Sequence, residues 1–349
     1  MAALIVDWLG QGGIFQTSRA WARALTGAGE PVSIVTRSGG EAFGDDPVLS
    51  VTRSSSRIAA HLELVRRAAA EIATKRPETI VVQNYLVPAL ELPVYRAARR
   101  GGSRVVFVVH NHHPHELASG LRVGLARALG LTDVVVTHSN FVADGLREFR
   151  AGVEPVIIEH PIPVGLTELA LPAAQVAPND DGRLAISFGV LKRGYKGTRL
   201  VEEVAAIAPA GWRFALMGIG ADDGPPLPTL ERLPGFIPDR DLVRWIQRAD
   251  ACLLPYRAAT QSGAIALAQS LGRTVVASAV GGIPEQVRDG VNGRLVPPGA
   301  TAAQWREVLA ELDDEGLARM GEQAQQDSLQ RQEAFVSAVL RIAGVGTDT

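Results

Sequence analysis

Residues 254–298 read LPYRAATQSGAIALAQSLGRTVVASAVGGIPEQVRDGVNGRLVPP. The stretch begins at the end of a short apolar run, Ala251 to Leu254. It crosses a polar loop, Tyr256 to Gly263, enters a helix of small residues, and returns to a second strand-like run, Arg273 to Ala277. Short apolar runs bounded by turn residues read as buried strands. Strand, loop, helix and strand together form the repeat unit of a parallel sheet, with the loop at the carboxyl end of a strand, where open parallel sheets bind ligands. Gln261, Ser262 and Gly263 fall where the first backbone N–H groups of a helix have no intrahelical acceptor, a place suited to a phosphate.

The same alternation runs along the chain. Strand candidates before the middle are Ala3 to Leu9, Val32 to Arg37, Thr79 to Gln83, Arg104 to His110, Asp133 to His138 and Val156 to Glu159. Helix candidates lie between them, at Phe15–Gly27, Ile58–Lys75, Ala89–Arg100, Gly120–Leu129 and Ser139–Arg150. Runs such as VVFVV and DVVVT have no polar face and suit strands covered on both sides. Residues 161–182, PIPVGLTELALPAAQVAPNDDG, are proline-rich and aperiodic and read as a linker. The alternation then resumes at Leu184–Phe188, Thr198–Ala206, Arg213–Met217 and Asp239–Arg248, and the chain ends in helices near 302–311 and 317–343.

A chain of 349 residues accommodates two ordinary domains. With 46% hydrophobic and 21% charged residues it has the composition of a globular protein. A net charge of −2 gives no electrostatic case for nucleic acid. Residues 51–150 nevertheless carry six more basic than acidic groups. That excess fits either a solvated arginine-rich surface or peripheral contact with an acidic membrane. The single cysteine, Cys252, permits no disulfide framework, so a reducing compartment is expected. The start MAALIVDWLGQGG lacks a basic segment and a long apolar run, so the reading is cytoplasmic, with no leader and no membrane span.

The stretch around residue 272 also resembles the donor-binding half of family-4 retaining glycosyltransferases. Pro255, Gly272 to Ala277 (with Thr274 in place of the usual proline), Gly281-Gly282-Ile283-Pro284-Glu285 and Gly290 to Gly293 stand where that family has a proline, G-x-P-V-V-A, G-G-x-P-E and G-x-x-G. The resemblance implies the GT-B fold: α/β, two Rossmann-like domains facing a cleft, with the last helix returning to the first domain. The implied domains are 1–163 on the acceptor side, 164–325 for the nucleotide-sugar donor, and 326–349 as the returning helix.

Residue by residue, the resemblance assigns roles. Gly10-Gln11-Gly12-Gly13 follows the first strand, and Gly12 and Gly13 match the family's glycine pair near the donor diphosphate. By itself such a loop reads equally as a tight strand-to-helix turn, and the dinucleotide G-x-G-x-x-G spacing is absent. His110-Asn111-His112-His113-Pro114-His115-Glu116 resembles the family's H-N-x-x-P-H-E, whose leading histidine faces the donor sugar. His110 takes that role, while Asn111, His115 and Glu116 are acceptor-side or loop-holding candidates, as are Phe43 to Asp46 and Tyr85. Loop spacing does not fix tetrahedral geometry, so no metal is expected. Ser187 to Gly197, SFGVLKRGYKG, resembles F-G-R-x-x-x-K-G, which supplies cations to the diphosphate. Gly189 and Lys196 match it; Val190 stands where the first arginine belongs, and Arg193 is the substitute candidate. Lys196 is one of three lysines in the chain. Gly218, in MGIG, and Ile237, in FIPD, match loops near the sugar nucleotide.

The main departure is the loss of the family's two donor-binding glutamates, whose places are taken by Ala259 and Leu267. In Tyr256-Arg257-Ala258-Ala259-Thr260-Gln261-Ser262-Gly263, the resemblance is to a divergent branch in which amides and a serine hydroxyl hold the phosphate. Tyr256 and Glu285 complete the donor-side candidates. No Ser-His-Asp elbow and no Walker A sequence is present. The expectation is a retaining transferase with a nucleotide-diphosphate sugar as donor, a hydroxyl acceptor and no cofactor. A degenerate binding subunit and a sugar-nucleotide epimerase are the alternatives.

Overall fold

The apolar runs of the first half form seven strands: β1 (Ala3–Asp7), β2 (Val32–Arg37), β3 (Val48–Val51), β4 (Thr79–Gln83), β5 (Arg104–Val108), β6 (Val134–Thr137) and β7 (Val156–Ile157). They make one parallel sheet in the order β3-β2-β1-β4-β5-β6-β7. Helices α1 (Gly12–Gly27), α2 (Arg57–Lys75), α3 (Pro88–Gly101), α4 (Ser119–Leu129) and α5 (Asn140–Phe149) connect them. Side chains alternate across a strand, so β1 feeds two cores. Leu4 and Val6 join Leu64, Ile72 and Phe107 in one, while Ala3 and Ile5 join Phe15, Trp21 and Ile34 in the other.

The structure is a computed structural model, describing residues 2–37, 48–51, 56–111, 119–176, 179, 182–222 and 224–345. Two units divide the chain: Met1–Pro161 with Gln332–Thr349, and Ile162–Arg331. In the second, α6 (Val164–Thr167) precedes β8 (Arg183–Val190), α7 (Thr198–Ala206), β9 (Trp212–Ile219), β10 (Leu230–Pro234), α8 (Asp239–Arg248), β11 (Ala251–Leu254) and α9 (Gly263–Ser270). Then follow β12 (Thr274–Ser278), α10 (Ile283–Gln286), β13 (Gly293–Val296), α11 (Ala302–Ala310) and α12 (Asp314–Ala343). The second sheet is also parallel, in the order β10-β9-β8-β11-β12-β13. Both units are therefore Rossmann-like.

Three strands lie outside the sequence expectation, namely β3, β10 and β13. All three sit at sheet edges. An edge strand is paired on one side only and tolerates polar residues, here Ser50, Glu231, Arg232 and Arg294, which weakens its apolar signal. The segment 161–182 is not a free linker, because from Ile162 onward it belongs to the second unit. Leu166 is buried in the core with Val243 and Ile246. The backbone of Leu171 is held at both ends by Gln247: its N–H donates to Oε1 (2.9 Å) and its carbonyl accepts from Nε2 (2.8 Å). Proline-rich composition had masked that packing.

Helix α12 passes from the second unit to the first between Arg331 and Gln332. Its final turns bury Phe335, Val339 and Ile342 in the core that holds Trp21, and the Trp21 and Phe335 rings meet edge-to-face at 6.1 Å. The expected return of the last helix to the first domain is present. In each sheet the chain reverses its direction of strand addition once, between β1 and β4 and between β8 and β11. Those switch points are where ligands enter such sheets.

Candidate functional site

In the second unit the loops after β8 and β11 straddle the switch point, and they carry the donor-side candidates. A single helical turn, Gly194–Lys196, ends at Gly197 with φ of 69°. A Cβ at Gly197 would run into the Pro255 carbonyl, so the two loops pack backbone to backbone only because this residue has no side chain. The amide of Arg257 donates to the Tyr195 carbonyl at 2.7 Å and ties the loops again. These contacts deliver Lys196 to Tyr256. The ammonium donates to the Tyr256 hydroxyl at 2.8 Å and lies 4.2 Å from the centroid of its ring, with the Tyr195 ring at 5.6 Å. Tyr256 is buried, at 4% exposure.

Ser262 caps α9, its hydroxyl accepting from the Ile265 amide at 3.4 Å. Such a cap is worth about 1 kcal/mol. The same hydroxyl lies 3.4 Å from the Tyr256 hydroxyl. The structure therefore brings together Lys196, Tyr256 and Ser262. One detail corrects the sequence expectation: the Ser262 amide is not open to a ligand, because it donates to Gln286 Oε1 at 2.7 Å. The helix N-terminus instead presents Gly263 and Ala264, its first two residues, whose amides have no intrahelical acceptor. Gln261 lies beside them in the same turn, partly buried.

Gly189 and Gly218 face each other across β8 and β9 with φ of 108° and 129°. A Cβ at Gly218 would meet the Gly189 carbonyl, so Gly218 serves close strand-end packing, whereas a Cβ at Gly189 would meet nothing within 4 Å and only its φ favours glycine. Ile237 is partly buried against the core in the turn before α8. Arg193 is exposed at the start of the Lys196 turn, and Glu285 is exposed in the first turn of α10.

In the first unit the glycine loop is organised by a residue the sequence reading passed over. Asp7 ends β1, fully buried. Its carboxylate accepts from the amides of Leu9 (2.8 Å) and Gly10 (2.6 Å) and from the hydroxyls of Ser18 (2.6 Å) and Thr36 (3.2 Å). Burial raises its pKa, and these four hydrogen bonds oppose the shift. A lone acid in the apolar run ALIVD was the available signal. Gly12 and Gly13 open α1, exposed, and a Cβ at either would meet nothing within 4 Å.

His110 lies just beyond β5, buried, with Nε2 3.0 Å from Gln83 Oε1. Burial, reinforced by the nearby His160, pushes its pKa down to about 3. Two histidines outside the sequence reading continue the row. The His110 and His138 rings are 5.2 Å apart and the His138 and His160 rings 5.3 Å apart. His138 donates from Nδ1 toward the carbonyls of Ile158 and Glu159, both at 3.3 Å, and burial holds its pKa well below the usual value. Strand order alone assembles this row, His110 two residues past β5, His138 one residue past β6 and His160 after β7. Asn111 is exposed, and its carbonyl accepts from the Tyr85 hydroxyl at 3.0 Å. His115, Glu116 and Phe43 to Asp46 lie outside the described residues. Among the described residues no group of three or more His, Cys, Asp or Glu could hold a metal, and no helix is long and apolar enough to cross a membrane.

Comparison with known proteins agrees with this architecture. Residues 11–164 match the family model described as Glycosyltransferase Family 4, and residues 183–314 match that of Glycosyl transferases group 1. A D-inositol 3-phosphate glycosyltransferase of Mycobacterium sp. (strain KMS) is 39% identical over 88 residues, 24% of this chain. That match spans 20% of the relative's own length. The structure of Anabaena Alr3699/HepE in complex with UDP-glucose superimposes with a TM-score of 0.71 at 18% identity, covering 99% of this chain and 98% of that one. A glycosyltransferase from Rickettsia africae ESF-5 gives 0.76 at 14% identity, covering 100% and 99%. At such identities the structural likeness speaks to the fold.

Proposed function

We propose that this chain, which has the GT-B fold and is related to family-4 type glycosyltransferases, is a retaining glycosyltransferase. It moves a sugar from a nucleotide-diphosphate sugar to an acceptor hydroxyl. The observation that carries the proposal is the meeting of Lys196 and Ser262 on one tyrosine hydroxyl, at the switch point of the second sheet. A lysine ammonium, a serine hydroxyl and two helix-terminal amides are donors without a carboxylate among them, which suits a departing diphosphate. Arg193, exposed three residues before Lys196, supplies a second cation.

In the reaction the bond between the anomeric carbon and the diphosphate oxygen breaks, and the acceptor oxygen bonds on the same face. The acceptor's proton passes to the departing phosphate. The protein's part is to hold the reactants in reach and to stabilise charge as it develops on the leaving group. His110, neutral and fixed by Gln83, serves as a hydrogen-bonding partner of the sugar rather than as a cation. Gly12 and Gly13 leave open space for a ligand to approach the start of α1. Ala259 and Leu267, which replace the family's acids, change how the donor sugar and ribose are held; the phosphate donors remain.

The test is a thermal-shift panel of uridine, guanosine and thymidine diphosphates followed by turnover of the matching sugar nucleotides. At 100 times its dissociation constant a true ligand adds about 2.7 kcal/mol of stability. Absence of any response would favour a binding subunit without transferase activity.

A further inference from the structure

Gln286 belongs to the one-turn helix α10, inside GGIPEQ, and is buried at 6% exposure. Its side-chain amide engages both halves of the Ser262 backbone. The Ser262 N–H donates to Gln286 Oε1 at 2.7 Å, and Gln286 Nε2 donates to the Ser262 carbonyl at 3.3 Å. The glutamine is itself locked. Its backbone carbonyl accepts from Gln269 Nε2 at 3.1 Å and from Arg331 Nη1 at 3.4 Å. Arg331 Nη2 in turn donates to Gln269 Oε1 at 2.6 Å and to Ser328 Oγ at 3.1 Å. Gln269 is fully buried on α9, and Arg331 comes from α12.

This lattice fixes the geometry of the turn. With its amide taken by Gln286 and its hydroxyl accepting from Ile265, Ser262 cannot rotate away from the start of α9. The amides of Gly263 and Ala264 then keep one orientation, and the Ser262 hydroxyl stays beside Tyr256 and Lys196. Preorganised donors avoid reorganisation when charge develops on a ligand. A glutamine suits the position because one side chain supplies both an acceptor and a donor. Glutamate would keep the acceptor, lose the donor, and put a negative charge next to the turn. Methionine would fill the space and supply neither.

We propose that Gln286 is a positioning residue for a diphosphate-holding turn at Ser262–Ala264, acting through the Ser262 backbone and held in place by Gln269 and Arg331. It touches no substrate itself. The inference rests on the reading of this turn as the donor diphosphate site.

The experiment compares wild type, Gln286→Met and Gln286→Glu by calorimetric titration with uridine, guanosine and thymidine diphosphates and with each parent nucleoside, alongside thermal melting. Expected for Gln286→Met is a loss of affinity of about tenfold or more for the diphosphate, about 1.4 kcal/mol, with nucleoside affinity within about twofold of wild type. Gln286→Glu keeps the shape and one hydrogen bond, so it remains informative even where the methionine variant melts early. It weakens the diphosphate further at neutral pH, and the deficit narrows as pH falls toward the carboxyl pKa, since protonation restores a donor and removes the charge. Two outcomes overturn the inference while leaving the donor site standing: diphosphate affinity unchanged in both variants, or diphosphate and nucleoside affinity falling together. A wild type that binds none of the diphosphates defeats the donor reading and the inference with it.

Discussion

The Lys196 ammonium is 2.8 Å from the Tyr256 hydroxyl and 4.2 Å from the centre of its ring. Two forces therefore hold one cation, a charge-assisted hydrogen bond and the attraction of the ring face. The first is worth about 1.5–3 kcal/mol and the second about 0.5–2 kcal/mol. The hydroxyl also reaches Ser262, so Tyr256 joins the two loops that leave the second sheet at its switch point.

Tyr256→Phe separates these contributions. It keeps the ring and removes the link between Lys196 and Ser262. Steady-state kinetics on the sugar-nucleotide donor should show kcat/KM lower by about tenfold, equal to about 1.4 kcal/mol. Unfolding free energy should change by no more than about 3 kcal/mol, the upper end of the cost of one lost hydrogen bond to a charged group. Unchanged kinetics would show that the tyrosine hydroxyl serves the fold alone.

Lys196→Ala removes the ammonium from the proposed phosphate site. If that charge stabilises the leaving diphosphate, turnover falls by about 10²-fold or more, as when a preorganised donor is deleted elsewhere. Retention of wild-type turnover would refute the phosphate assignment. Lys196→Arg should rescue only in part, because a planar guanidinium does not occupy the compact place of an ammonium against Tyr256.

Gly197→Ala tests the loop packing behind the lysine. The residue has φ of 69°, and a Cβ would collide with the Pro255 carbonyl. The left-handed conformation alone costs a non-glycine residue about 1–2 kcal/mol, and the collision forces the Lys196 turn away from the Tyr256 loop. Chemical denaturation should record a loss of at least that size, accompanied by lower donor affinity.

The histidine row makes stability depend on acid. His110 and His138 are neutral in the folded chain, their pKa values lowered first by burial, to about 3 for His110. In the unfolded chain each takes a proton near pH 6.5. Below that pH the unfolded state binds more protons, so the stability present above pH 6.5 is lost as pH falls, by up to about 1.4 kcal/mol per pH unit for each histidine. His138→Gln should flatten the dependence of unfolding free energy between pH 6.5 and 5 by about that amount. A slope identical to wild type would mean that His138 is not neutral when folded.

Much of the fold was legible because central strands of a parallel sheet are covered on both faces and read as unbroken apolar runs. VVFV and ACLL lie in strands β5 and β11. The edges were not legible, since β10 and β13 carry Glu231, Arg232 and Arg294 and obtain their order from one neighbour. At the site, motif order pointed to Lys196, Ser262 and His110. It did not point to Asp7, Gln286 or His138. Glutamine and histidine at strand and helix ends are common residues, and their meaning here depends on which backbone they reach.

The amino-acid order by itself determined two runs of strand and helix, the glycine-rich turns at their carboxyl ends and the helix start near Ser262, because periodicity and turn composition are local properties of a chain. Only the tertiary structure decided that the Ser262 amide belongs to Gln286, that Lys196 rests on Tyr256, and that three imidazoles stand in a row. Residues 262 and 286, or 110 and 160, become neighbours through strand order, and strand order is set by long-range pairing that no short window of sequence contains.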